Sequence, residues 1–147
     1  MRRLASATAI AALLVTAPAH GFDAAGVDII GLRLGMPGPE VVARLAAQGY
    51  AVSDTPQAIT ATTRDGRLHV ALSAGHGVTE ISYVFSGRRS GEPAGLRQSI
   101  VTRFGNPSQP TPPTWCRAVG PDGMCPKDQA SLSFLPDSLT LLLRSEE

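Results

Sequence analysis

Leu4 to Ala17 is an almost unbroken run of small and apolar residues, preceded by Met1-Arg2-Arg3 and followed by Ala17-Pro18-Ala19. A short basic start, an apolar stretch and small residues two apart are the anatomy of a secretory signal peptide. The run is 14 residues long, whereas a helix needs roughly 20 to cross the hydrocarbon of a bilayer. Removal of residues 1–19 is therefore expected, with the cut falling between Ala19 and Phe22. Of 147 residues, 128 then remain to fold, as a single exported domain over 20–147. No cysteine follows the run to accept a lipid. A periplasmic or secreted protein with no transmembrane segment after signal removal is the expectation.

A chain of this size has no room for a cofactor domain beside a catalytic one, which argues against a Rossmann dehydrogenase or a barrel enzyme and implies no cofactor. Loss of Arg2 and Arg3 leaves 11 basic residues against 12 acidic, so the formal charge falls from +1 to −1. That balance argues against nucleic acid as a partner, because such affinity comes mostly from clustered Lys and Arg on phosphates. One basic cluster is present, at Arg88, Arg89, Arg97 and Arg103. It reads as the solvated rim of a helix, with Arg88 and Arg89 as candidate binding residues if it meets an anion or a partner.

Cys116 and Cys125 flank Gly120-Pro121-Asp122-Gly123, a strong turn signal that brings the two ends together. In an exported chain they are expected to form a structural disulfide. A redox pair would call for C-x-x-C at a helix start, and this spacing is much wider. No second cysteine pair or closely spaced histidines accompany them to suggest zinc.

Gly and Pro cut the remaining sequence into short elements. Asp28 to Leu34 reads as an extended segment. Gly35-Met36-Pro37-Gly38-Pro39 then opens a helix from Pro39 to Gln48, with Val41, Val42, Leu45 and Ala46 on its apolar stripe and Gly49 past its end. Strands are predicted over Ala58 to Thr63, Arg67 to Ser73 and Val78 to Phe85, with Asp65-Gly66 as a hairpin signal. Gly91-Glu92-Pro93 opens a second helix through Phe104, whose stripe is Leu96, Ile100, Val101 and Phe104. The proline-rich Gln109 to Pro113 is an extended connection. Strands follow at Thr114 to Ala118, Ala130 to Leu135 and Ser138 to Arg144. A helix followed by three strands thus occurs twice. The expected architecture is an α+β two-layer sandwich: an antiparallel sheet with two helices on one face.

Gly31-Leu32-Arg33-Leu34-Gly35-Met36-Pro37-Gly38-Pro39-Glu40-Val41, with Leu45 and Gly49-Tyr50 behind it, resembles the helix-opening motif of the SmpA/OmlA (BamE-like) family and of related β-lactamase-inhibitor-like periplasmic domains. Leu96, Phe104, Gly105, Asn106 and Pro107 are similar to the way such helices end. In the family pattern a Ser or Thr caps the helix and a Glu three residues on completes a capping box; here Pro37 holds the cap position. The resemblance implies a small module that binds other proteins, as an assembly factor or an enzyme inhibitor, without catalysis. It carries over no contact residue, because the matched positions are structural.

No G-x-S-x-G elbow, H-E-x-x-H or phosphate-binding loop occurs in the sequence. His20, His69 and His76 are its three histidines. Cleavage after Ala19 would make His20 the amino terminus, able to chelate copper through its α-amine and ring, with His69 or His76 as a further ligand. Trp115, the single tryptophan, stands beside Cys116 in a proline-stiffened segment. It is either a partner-binding anchor or a core residue. The leading expectation is thus a non-catalytic protein-binding or inhibitory module whose partner is an envelope protein. The alternative is a periplasmic copper protein or small enzyme using the histidines.

Overall fold

A computed structural model describes residues 21–87 and 95–146. The expected leader, His20, Arg88, Arg89 and the opening Gly91-Glu92-Pro93 of the second helix lie outside the described residues. Helix α1 spans Gly38–Ala47. Pro37 is its cap and makes no side-chain capping bond, and Glu40 sits in the first turn, where the helix dipole favours an anion. At the other end the Gly49 N–H donates to the Ala46 carbonyl at 2.9 Å and the Tyr50 N–H to Leu45 at 3.1 Å. This paired Schellman closure turns the chain sharply into the sheet. Val41 and Leu45 are fully buried, Val42 is half-buried and Ala46 is exposed, so the apolar stripe is narrower than expected.

Four strands follow: β1 (Ala51–Asp54), β2 (Ala58–Thr62), β3 (Gly66–Ser73) and β4 (Gly77–Phe85). Helix α2 (Leu96–Phe104) then leads into β5 (Gln109–Pro110), β6 (Pro113–Cys116), β7 (Ser131–Leu135) and β8 (Thr140–Arg144). All eight form one open antiparallel sheet in the order β1-β2-β3-β4-β8-β7-β6-β5. Each half is a meander, and the two halves meet where β4 pairs with β8.

Directly paired residues on neighbouring strands project to the same side of a sheet, so the register assigns every side chain to a face. One face carries Ile59, Val70, Ile81, Leu143, Leu132 and Trp115 in one row and Ala61, Leu68, Tyr83, Leu141 and Phe134 in the next. All are buried. Val41 and Leu45 of α1 and Ile100 of α2 belong to the same core cluster. Burying such side chains stabilises the fold by about 1.5–3 kcal/mol each.

The α+β class and the antiparallel sheet stand, but the repeated order of one helix and three strands does not. Four strands follow each helix, because the short edge strands β1 and β5 complete each meander. The predicted extended segment at 28–34 is instead a tight turn. Ile29 and Leu32 bridge each other around Ile30 and Gly31, both at positive φ. Buried Ile29 and Leu32 then point into the core from the turn. Among the described residues no helix is long and apolar enough to cross a membrane.

Candidate functional site

The sheet's second face is where the polar residues of the strands collect. Its central row runs without interruption across all eight strands: Ser53, Thr60, His69 and Ser82 in the first half, then Leu142, Ser133, Thr114 and Gln109 in the second. A flanking row carries Ala51, Thr62, Arg67, Val84, Thr140 and Leu135. Strand alternation produces this directly. Ile59, Ala61, Leu68 and Val70 take the core side, leaving Thr60, Thr62, Arg67 and His69 on the other.

The two halves of this face differ in exposure. Thr60, Thr62, Arg67 and His69 are exposed, and together with Ser53 and Val84 they line a hollow of about 540 Å³. Ser82 and Leu142, at the centre, are half-buried. In the second half Gln109 and Thr114 are buried beneath the segment that leads to Cys125. A second hollow, about 750 Å³, lies beside it, bordered by Lys127, Ser131 and Ser133 and by the Glu80–Arg144 ion pair.

Cys116 and Cys125 are bonded, with Cα atoms 5.9 Å apart. Between them the Gly123 N–H donates to the Gly120 carbonyl at 2.9 Å and the Gly120 N–H to Met124 at 2.8 Å, so the sequence signal does form a turn. Cys116 is on the polar face, paired with Ser131. Its neighbour Trp115 projects the other way, into the core, where it is 1% exposed. The indole N–H donates to the Gly105 carbonyl at 2.9 Å, and the ring meets Phe104 edge-on at 6.1 Å. A side chain held this way packs against the end of α2 as a core residue and offers no surface to a partner.

The two described histidines line different hollows. His69 lines the hollow on the polar face, whereas His76 lines a separate one near the start of α1, its Nδ1 3.2 Å from the Ala74 carbonyl. Among the described residues no three His, Cys, Asp or Glu side chains are grouped to hold a metal ion. Of the wider basic cluster, Arg103 donates to the Asp28 carbonyl at 2.6 Å and lies over the Phe104 ring, tying α2 to the amino-terminal turn.

Thr60, Thr62 and Arg67 are not singled out as functional residues by the sequence alone. The signal available was the polar half of an alternating pattern, which any half-solvated strand also shows. No family model matches the chain, and neither curated proteins nor solved structures gave a match.

Proposed function

We propose that this protein is a small exported module, periplasmic or secreted, that acts by binding another protein of the cell envelope as an assembly factor or inhibitor and performs no catalysis itself. The observation that carries this reading is the polar sheet face, opposite the core to which both helices contribute. Hydrogen-bonded strands hold the backbone beneath it in place, so a partner that covers the face orders side chains but no backbone. Half-buried Leu142 at the centre of an otherwise polar row gives an apolar point of contact inside a wettable rim, the common anatomy of a protein interface. The disulfide suits an oxidising compartment, as does the leader-like segment. The resemblance of the first helix opening to SmpA/OmlA-like modules points the same way.

The test is capture from Gram-negative envelope extract with two variants in parallel. Leu142→Glu places a charge at the centre of the face, and Ala43→Glu places one on the exposed side of α1. Partners retained by wild type and by Ala43→Glu but lost with Leu142→Glu support the reading. Equal capture by all three, or no specific capture, removes it.

A further inference from the structure

In the second half of the sheet the chain covers its own polar face. Cys125 is tethered to Cys116, its backbone N–H donates to Gln109 Oε1 at 2.9 Å, and its sulfur lies 3.9 Å from the Thr114 carbonyl. Gln109 and Thr114 are left 6% exposed each. Counted outward from the β4–β8 pair, Ser53 stands where Gln109 stands, Thr60 where Thr114 stands and His69 where Ser133 stands. Two residues along each strand, Thr62 matches Cys116 and Arg67 matches Ser131. The first half has the same grid of positions, but its hydroxyls and its two nitrogen-bearing side chains face solvent.

Charge indicates what fits there. Among the described residues no Asp or Glu lines the hollow of about 540 Å³. Among the described residues the Arg67 guanidinium has no ion-pair or hydrogen-bond partner, whereas Arg33, Arg44, Arg103 and Arg144 are each paired with a carboxylate and Arg97 is engaged as well. A free guanidinium presents a planar fork of donors that matches a carboxylate in bidentate geometry. The Ser53, Thr60 and Thr62 hydroxyls and the His69 ring supply further donors beside it.

We propose that the β1–β3 half of the polar face receives an extended, carboxylate-bearing segment of the partner protein. That segment would lie over Thr60 and His69 as the chain's own segment at Cys125 lies over Thr114 and Gln109, with Arg67 holding a Glu or Asp side chain. The inference rests on the reading of this protein as a protein-binding module and names the chemistry of the surface it recognises.

The experiment is an amide chemical-shift titration of the isotope-labelled protein with a short peptide alternating serine and glutamate, against the same peptide with glutamine for glutamate. The expected result is shifts at Ser53, Thr60, Thr62, Arg67 and His69, with the glutamine peptide weaker by about tenfold, the scale of a lost charge-assisted contact. Gln109 and Thr114 stay unmoved. In Arg67→Gln the two peptides bind alike, whereas Arg67→Lys keeps part of the preference because it keeps the charge but not the fork. Equal binding of both peptides to wild type, shifts mapping elsewhere, or no shifts would overturn the proposal. If these appear while the Leu142-dependent capture persists, the acidic segment is wrong and the binding reading stands. If the capture fails as well, both fall.

Discussion

Thr60 and Thr114 hold matching places in one row of side chains that crosses the whole sheet, yet Thr114 is 6% exposed and Thr60 lies open to solvent. The difference comes from the disulfide-tethered segment, which covers one end of the row and has no counterpart among the described residues at the other. A near-symmetric scaffold thereby presents an asymmetric surface.

Removing the tether should open the covered half. Cys116→Ser with Cys125→Ser frees the loop and is expected to cost about 2.5–3 kcal/mol by the loop-closure relation. Amide exchange should quicken around Gln109 and Cys125 while β3 and β4 keep their protection. Urea unfolding gives the first quantity and exchange by mass spectrometry the second.

Trp115 reports on the core. Trp115→Ala removes a fully buried indole and should cost about 3–5 kcal/mol. Trp115→Phe keeps an aromatic ring but leaves the Gly105 carbonyl without its donor, for about 1–3 kcal/mol. Because the chain has one tryptophan, its fluorescence follows this site alone. Emission should be blue-shifted in the folded protein and move red on unfolding.

Gly77 and Gly75 both have positive φ, at 70° and 78°, but only Gly77 is crowded. A Cβ at Gly77 would come within 2.6 Å of the Met36 carbonyl and 2.8 Å of that of Gly35. That backbone is pinned by bonds from Gly35 N–H to Val78 and from Val78 N–H to Met36. Gly75→Ala should cost about 1–2 kcal/mol for the left-handed conformation. Gly77→Ala should cost roughly 1–3 kcal/mol beyond that, for overpacking against backbone. Thermal unfolding of the two variants side by side checks the ordering.

Asp28 separates hydrogen bonding from charge. Its Oδ1 accepts the Gly31 N–H at 2.9 Å, whereas Arg33 and Arg103 approach its carboxylate only to 4.0 and 3.8 Å. Asp28→Asn keeps an acceptor for Gly31 and should cost less than about 1 kcal/mol, the scale of an exposed ion pair. Asp28→Ala should cost about 1–2 kcal/mol, because the turn at Ile30 and Gly31 loses the bond that closes it. Stability of both variants should be less sensitive to added salt than that of wild type, because both lack the carboxylate charge.

The elements legible in the sequence were those with their own local pattern. Helix α1 was bracketed by Pro37 and Gly49, and β2, β3, β4, β7 and β8 by alternation and turns. Edge strands were not, since each carries little inward apolar weight. Val52 is the half-buried apolar residue of β1, and β5 is Gln109–Pro110, where proline is tolerated because one side of an edge strand has no neighbour to bond. Ile29, Ile30 and Leu32 suggested a strand by composition, but a local turn buries Ile29 and Leu32 just as well. The polar row was present as alternate residues in each strand. Its continuity across eight strands depends on pairing between distant segments, which no local pattern specifies.

If the polar sheet face meets a partner, a photoreactive group on that face lies within reach of it. Site-specific photocrosslinking in the envelope distinguishes the surfaces, with a benzoylphenylalanine placed at Thr60 or Ser82 on that face, or at Ala43 or Ala47 on the exposed side of α1. A discrete adduct of the same mass is expected from Thr60 and Ser82 and none from the two helix positions. Adducts from Ala43 or Ala47 with none from Thr60 and Ser82 would contradict it.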